Sequence, residues 1–345
     1  MSNRDLRQTF NLSNSENVFL KNCEIEYFNE DIVSKFPNVA WLDVQNCNVT
    51  LKNSGNWNKS SSLEYLAFHQ SRIFNNLNSS SLQSFDKLWT ILIQNSSLQY
   101  SYIDDNLLPK TNNFYNILFD NVNIERINDK VLENLKHSIL RISCTSCQLK
   151  EIKPIFKNMN YTVYDDFRFS NNKVKKLPSS KDIFKNYDKL LVIDLSNNQI
   201  KERILSRKHF KTLKSLKILY LNNNANINFI SQFAFNDTAL EELNISNVNL
   251  RSLGKLGNSN LKKIDVSKNR ISKISLEAFE DLIKLEVLDL SNNKILKLNG
   301  SEFKDLQSLH ELHLSSNKLK EIHENLFNKT SKLQKLDLSL NVWKT

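Results

Sequence analysis

Two cysteines stand three residues apart in the stretch RISCTSCQL, at Cys144 and Cys147. A Cys-x-x-Cys spacing can supply half of a zinc site or form a redox-active dithiol. A zinc site needs two further ligands, and the sequence has no second Cys-x-x-Cys or paired histidine to supply them. Whether these two thiols react or pack therefore depends on the elements that hold them.

Composition narrows the class of protein. The chain has 345 residues, 40% of them hydrophobic, so it can bury a sizeable core. Four cysteines are too few for a disulfide scaffold of this size. No run of eighteen apolar residues is present, which predicts no membrane span in this chain. The first twenty residues are polar and do not have the apolar segment of a secretory signal peptide.

An internal repeat organises most of the sequence. Its clearest copy is LEVLDLSNNKI at 285–295, which reads L-x-x-L-x-L-x-x-N-x-L. Similar segments recur about every 24 residues, as in LHELHLSSNKL, LLVIDLSNNQI and VAWLDVQNCNV. The first positions of successive repeats fall at 15, 39, 63, 88, 114, 139, 164, 190, 216, 240, 261, 285, 309 and 333.

The repeat has a physical reading. Positions 3 to 7 are expected to form a short strand, with positions 4 and 6 pointing inward and positions 3, 5 and 7 facing solvent on a concave side. Position 9 is commonly Asn, whose amide can bond backbone groups that would otherwise be buried unpaired. The pattern predicts an α/β solenoid, a horseshoe of about 14 repeats around a concave parallel β-sheet. We assign 1–14 to an N-terminal cap or tail and 15–345 to one solenoid domain.

The repeat positions predict whether the cysteines pack in the core or react. Cys144 falls at inward position 6 and Cys147 at position 9, so both are predicted to be packing residues. Cys23 and Cys47 fall at position 9 of the first two repeats, and packing is the prediction for them too. Because they are rungs of neighbouring repeats, oxidation to a disulfide is the alternative that remains open.

The repeats resemble the 24-residue leucine-rich repeat class of Toll-like receptor ectodomains and of secreted insect proteins, including mosquito immune factors. The resemblance implies a secreted or receptor-like glycoprotein with a role in innate immunity. Two departures stand out: the cysteine-bearing N-terminal cap of extracellular members is missing, and LDLSLNVWKT only partly matches the opening of their C-terminal cap. We therefore expect a chain truncated at, or lacking, that cap.

No catalytic signature is found, so we predict a non-enzymatic binding module without cofactor or metal. Its binding surface is expected on the concave side of the first five repeats, where apolar residues occupy outward positions that are usually polar. This surface is predicted to bind a protein partner or a second copy of the chain. The alternative is a one-residue shift of register that turns these aromatics into the core. The candidate residues are Phe19, Trp41, Tyr65, Trp89, Leu92, Tyr115 and Leu118.

A second candidate surface is basic. Residues 1–172 hold 17 Lys and Arg against 18 Asp and Glu, whereas the remainder holds 30 against 19. Solvated charge is the default explanation, and an acidic glycan is the functional alternative. Nucleic acid is disfavoured because aromatics are not interleaved with the basic stretch. The candidate anion-binding residues are Lys175, Lys176, Arg207 and Lys208.

Sequons bear on the compartment. We expect an extracellular or cell-surface location, with recognition or adhesion as the function; the alternative is a cytoplasmic leucine-rich repeat scaffold or adaptor. The candidate N-glycosylation sites are Asn11, Asn48, Asn58, Asn78, Asn95, Asn160, Asn236, Asn244, Asn299 and Asn328.

Overall fold

The computed structural model describes residues 15–28, 30–33, 35–51, 62–74, 82, 85, 87–103, 116–128, 139–152, 163–177 and 187–343. The chain divides into two compact units, Met1–Lys173 and Val174–Thr345. Each unit is built from parallel strands that recur once per repeat, and strands are numbered below in chain order.

In the first unit, seven described strands pair in parallel, each with the strand of the next repeat. They are β1 (Asn17–Lys21), β3 (Trp41–Gln45), β5 (Tyr65–His69), β7 (Thr90–Gln94), β10 (Asn116–Asp120), β12 (Ile139–Thr145) and β13 (Val163–Arg168).

In the second unit, seven described strands follow the same order, but each has only three residues. They are β14 (Val192–Asp194), β16 (Ile218–Tyr220), β18 (Glu242–Asn244), β20 (Lys263–Asp265), β22 (Val287–Asp289), β23 (Glu311–His313) and β24 (Lys335–Asp337).

Further strands, and one helical turn in each unit, are described outside these two series. In the first unit these are β2 (Glu24–Phe28), β4 (Asn48–Leu51), β6 (Arg72–Phe74), β8 (Ser97–Leu98), β9 (Tyr102–Ile103), β11 (Arg126–Ile127) and α1 (Glu30–Val33). In the second unit they are β15 (Ile204–Leu205), β17 (Phe229–Ile230), β19 (Ser252–Leu253), β21 (Lys273–Ile274) and α2 (Arg207–Phe210).

The predicted strand positions are confirmed, and so is their alternation. Leu42 pairs with Leu66, and Leu66 with Ile91; all three are buried. These are inward position 4 of successive repeats, which stack into one row of the core because pairing in parallel keeps equivalent positions in line. A second row of large side chains lies behind the strands, where Phe279 and Phe303 have ring centroids 5.8 Å apart.

The predicted strand over positions 3 to 7 is confirmed for β1, β3, β5, β7, β10 and β12, whereas β13 and the seven strands of the second unit end at position 5. In five repeats of the second unit the side chain at position 5 accepts the N–H of position 7, as Asp265 does from Ser267 at 2.9 Å. In these five, that N–H is taken by a side chain and does not continue the ladder, which favours an end of the strand at position 5. The other two repeats carry Tyr220 and His313 at position 5, and their strands end there too. Positions 5 and 7 of the early repeats carry other residues, and their strands run on to position 7.

The turn after each strand is held by the side chain at position 9, as predicted. Asn293 donates from Nδ2 to the carbonyl oxygens of Val266 and Leu290, both at 3.0 Å, and its Oδ1 accepts the N–H of Ile271 at 3.0 Å. One buried amide thereby satisfies backbone groups of two neighbouring repeats. In earlier repeats Ser71 does part of this work, accepting the N–H of Cys47 at 3.1 Å.

Position 8 carries a constraint that sequence reasoning missed. In every described repeat this residue has a positive φ, between 50° and 59°. Asn tolerates this left-handed conformation better than most residues, which explains its frequency there. Exposed Asn side chains at position 8 also bond between repeats, since Asn247 donates to Asn223 at 2.8 Å and Asn223 to Asn197 at 2.6 Å.

Lys268 stands at position 8 with φ 54°, where a long side chain gains nothing from the left-handed backbone. We expect Lys268→Asn to raise the free energy of unfolding by about 1 kcal/mol, because Asn fits the backbone and can bond Asn247. Urea denaturation measures the change. Lys294→Asn, at an exposed site without positive φ, is the control and should be neutral; an equal gain from both would rule out a backbone cause.

Candidate functional site

The outward positions 3, 5 and 7 of the seven long strands form what we call the strand face of the first unit. At its centre the rings of Trp41 and Tyr65 stack, with centroids 3.6 Å apart and planes 19° from parallel. Both occupy position 3 and pair directly across β3 and β5. Trp41 is 38% exposed, whereas Leu42 and Leu66 beside them are fully buried. The alternative in which these aromatics belong to the core is therefore wrong.

Phe19, Leu92 and Leu118 also lie on the strand face, with unequal exposure, whereas Trp89 is at position 2, just before β7. Phe19 is 56% exposed, and Leu92 and Leu118 are half-buried and paired across β7 and β10. Trp89 is half-buried and donates from Nε1 to Glu64 at 3.3 Å. Tyr115 lies outside the described residues.

The predicted apolar stripe is interrupted. Asp43 pairs with Phe19 on one side and Ala67 on the other, so a carboxylate lies among the apolar side chains at position 5. Asp43 is only 7% exposed and Ala67 is fully buried, which means that the side chains at positions 3 and 7 cover them. Sequence reasoning did not single out Asp43, although an acidic residue between aromatic outward positions was a readable signal.

Near Asp43, side chains at position 7 of successive strands form a series of polar contacts. Gln45 donates from Nε2 to Asp43 Oδ2 at 2.8 Å, and His69 Nε2 lies 3.6 Å from Asp43 Oδ1. His69 Nδ1 is 3.2 Å from Gln94 Oε1, and Gln94 donates to Asp120 at 2.8 Å. Burial, followed by the charge of Asp43, raises the pKa of the nearby Tyr65 hydroxyl.

In the second unit, ion pairs join residues of adjacent repeats at positions 2 and 3. Glu241 contacts Lys217 at 3.1 Å and Lys262 at 2.7 Å, and Glu242 contacts Lys263 at 3.0 Å. Hydrogen bonds from these lysines lower the pKa of Glu241. The Asp residues at position 5 hold the turn through their bonds to position 7, so their recurrence has a structural cause.

The cysteines divide into two pairs. Cys144 and Cys147 are buried and free, as predicted, and burial, followed by the neighbouring Cys147, raises the pKa of the Cys144 thiol well above its usual value. Cys23 and Cys47 instead form a disulfide, with Cα atoms 4.7 Å apart. The prediction that they are packing thiols is wrong, because parallel stacking places position 9 of one repeat directly beside position 9 of the next.

The basic candidates are less free than the sequence implied. Arg207 makes two bonds to the carboxylate of Asp237, from Nε at 2.5 Å and from Nη2 at 2.8 Å. The bond from Arg207 is the main cause that lowers the pKa of Asp237. Lys175 and Lys176 are exposed, and so is Lys208 at the second position of α2.

The described sequons differ in access. Asn48, Asn95, Asn236, Asn299 and Asn328 are exposed. Asn244 is half-buried at the end of β18, and its Oδ1 accepts the N–H of Ser246 at 3.0 Å. The remaining sequons, Asn11, Asn58, Asn78 and Asn160, lie outside the described residues.

Within the described ranges, no three His, Cys, Asp or Glu side chains gather in a way that could hold a metal ion. Nor does any helix in those ranges have the length and apolar character needed to cross a bilayer.

Comparison with known proteins agrees with this repeat geometry. The family model described as leucine rich repeat matches residues 259–319. A leucine-rich repeat protein of Leptospira interrogans has a similar structure, with a TM-score of 0.75 and 23% identity over 97% of this chain and 80% of that one. The chain is thus a leucine-rich repeat protein in fold, and the predicted α/β solenoid is confirmed. No curated protein matches the sequence.

Two other solved structures are similar at lower scores. A chain from an octameric complex of Latrophilin 3, Unc5D and FLRT2, in which FLRT2 supplies the leucine-rich repeats, has a TM-score of 0.60 and 22% identity over 75% of this chain and 76% of that one. A chain from the TLR13–ssRNA13 complex has a TM-score of 0.54 and 20% identity over 97% of this chain and 54% of that one. At these identities the similarity concerns the fold.

The two cysteine pairs should differ in chemistry. We expect iodoacetamide to modify Cys144 and Cys147 only after unfolding, because both are buried out of reach, and burial also raises the pKa of the Cys144 thiol. Cys23 and Cys47 should be modified only after unfolding and reduction. Peptide mapping by mass spectrometry distinguishes the two pairs. Alkylation of Cys23 in the unfolded, unreduced chain would contradict the disulfide, and labelling of Cys144 in the native chain would contradict its burial.

Proposed function

We propose that the chain is an extracellular recognition module that binds a protein partner through the strand face of its first unit. The observation that carries this proposal is the stack of exposed Trp41 on half-buried Tyr65 at the centre of that face, flanked by Phe19 and Leu92. Exposed aromatic clusters on a rigid sheet are typical of interface hot spots, and folded proteins rarely expose one without a partner.

The choice of the first unit has a second support. In the second unit, Glu242 and Glu311 at outward position 3 are paired with Lys263 and Lys335 of adjacent repeats, so a partner that binds there would have to break those contacts. The first unit instead offers aromatic and aliphatic side chains whose burial is favourable for any apolar partner surface.

The proposed compartment is supported by the Cys23–Cys47 disulfide. Disulfides persist in oxidising compartments and are rare in the cytosol, where thiols are kept reduced. This favours a secreted or cell-surface module over the cytoplasmic scaffold or adaptor. A role in innate immunity as a receptor-like glycoprotein is part of the same proposal and follows from the resemblance alone.

A protein is the favoured partner class. FLRT2 occurs in a complex with other proteins and TLR13 in a complex with ssRNA13, so the fold is compatible with either class. The strand face of the first unit carries Asp43 and Asp120, which would repel a phosphate backbone. An acidic glycan would have to bind elsewhere, at Lys175, Lys176 and Lys208, with Arg207 first released from Asp237.

Substitutions at the stack test the proposed surface. Trp41→Ala and Tyr65→Ala should each weaken partner binding by about 2 kcal/mol, roughly 30-fold in Kd. The fold should persist, because neither ring belongs to the core. The partner is first captured from extracellular preparations and identified by mass spectrometry. Its Kd is then measured with purified proteins, and sedimentation equilibrium tests whether the partner is a second copy.

Tyr100→Ala with Tyr102→Ala is the matched control, because these exposed rings form a contact 5.9 Å apart outside the strand face. It should leave the Kd unchanged. If the control weakens binding as much as the stack variants, or if the stack variants lose thermal stability without any change in association, then the partner does not bind at the strand face.

Glycan mapping tests the compartment. In secreted material, we expect glycosidase-sensitive modification at exposed sequons such as Asn48, Asn236 and Asn328, and none at Asn244, whose amide oxygen holds the turn to Ser246. Deglycosylation in heavy-oxygen water marks each modified Asn for mass spectrometry. A chain that reaches the medium with no glycan on any exposed sequon would contradict the glycoprotein part of the proposal.

A further inference from the structure

Asp43 has an unusual carboxylate. Among the described residues, Asp43 Oδ1 and the hydroxyl of Thr212 are the buried side-chain oxygens without a hydrogen-bond partner. A buried ionised group is unfavourable unless opposite charge or donors compensate it, and removing it from water is costly. Within the described part of the chain, Gln45 donates to Oδ2 of this carboxylate at 2.8 Å, and the group that faces Oδ1 is His69, whose Nε2 lies 3.6 Å away.

Other outward carboxylates in the described chain are compensated. Asp166 contacts Arg141 at 3.4 Å and Arg168 at 3.2 Å, and Glu311 contacts Lys335 at 2.6 Å. At position 5 of the later repeats, the equivalent Asp accepts bonds from the residue two positions on, as Asp289 does from Ser291 at 2.8 Å. For Asp43 the structure offers only His69, whose Nε2 is 3.6 Å from Oδ1.

The groups around Asp43 suit a flat cation. Trp41 and Tyr65 stack in adjacent strands and present an aromatic platform on one side of the carboxylate. Aromatic faces attract cations through the quadrupole of the ring, and a planar guanidinium can also stack on them. The same face already holds one such contact, since Lys21 Nζ lies 5.8 Å from the centroid of Phe19.

The other charged residues near the strand face also favour a cationic group of the partner. Glu16 and Glu64 are exposed at position 2, and Asp120 is half-buried at position 7. At the outward positions of β1, β3, β5, β7 and β10, the Lys or Arg residue that can balance these carboxylates is Lys21. This surface is therefore acidic although the whole chain has a net charge of +10. Such a local reversal steers positively charged groups towards it.

We propose that Trp41, Tyr65 and Asp43 bind an arginine side chain of the protein partner. The guanidinium stacks on the exposed ring of Trp41, and one of its N–H groups donates to Asp43 Oδ1, with the His69 side chain turning aside to admit it. Arginine suits the site better than lysine, because its planar fork stacks and donates at once. This inference rests on the proposed function and names the group that the partner must present.

The test uses a tetra-arginine peptide as probe and a tetra-citrulline peptide as its neutral counterpart of similar shape. Calorimetry should give a Kd at least about tenfold lower for tetra-arginine. Asp43→Asn should remove at least about tenfold of that affinity. Asp289→Asn, at the same position of a later repeat, should not change it, because Asn can still accept the bond from Ser291.

A second measurement checks the carboxylate itself. Because Asp43→Asn removes a buried carboxylate whose Oδ1 accepts no hydrogen bond, the thermal midpoint of the variant should equal or exceed that of the parent chain. A midpoint lower by several degrees would overturn the proposal, since it would mean that Asp43 is already compensated in the folded protein. Equal binding of the two peptides, or equal binding by the Asp43→Asn variant, would overturn it as well.

Failure of the proposed arginine site can be distinguished from failure of the proposed partner-binding surface. If Trp41→Ala and Tyr65→Ala weaken binding of the purified partner while the arginine probe does not bind, the strand face recognises proteins without an arginine. If tetra-arginine binds through Asp43 but the stack variants do not affect partner binding, the arginine site stands and the partner-binding surface lies elsewhere.

Discussion

The structure depends on how the chain turns after each strand. Position 8 must adopt a left-handed backbone, and position 9 must supply a buried side chain that bonds the backbone of adjacent turns. Without those bonds each repeat would bury unpaired N–H and C=O groups, which are costly away from water. The requirement recurs in every repeat, so equivalent residues stay in line and the core can form as stacked rows.

The residues at positions 5 and 7 influence how wide the outward surface is. Where Asp or Asn at position 5 is followed by Ser at position 7, as in β18 and β20, the side chain takes the N–H of position 7 and the strand has three residues. In β3 and β5, where position 7 is Gln45 or His69, the strand has five residues and position 7 joins the surface. The early, degenerate repeats therefore carry the broader face, and the regular later repeats use their outward charges on one another.

The candidate site follows from that difference. Trp41 and Tyr65 stack because they occupy the same position of neighbouring five-residue strands. Ala67, which has a small side chain, is paired with Asp43 at position 5. A buried carboxylate without full compensation lowers stability, yet it gives the surface a directed negative charge. Stability and recognition thus make opposite demands on the same residue, which is common where a protein binds its partner.

The sequence by itself determined the repeat, the strand positions and which side chains point inward, because alternation within a strand is a local property of the backbone. It also determined the burial of Cys144 and Cys147. The tertiary structure alone decided which residues of different repeats touch. The Cys23–Cys47 disulfide and the unpaired Asp43 oxygen depend on side-chain directions in stacked strands. Such contacts join residues about 24 positions apart, and no pattern within a single repeat encodes them.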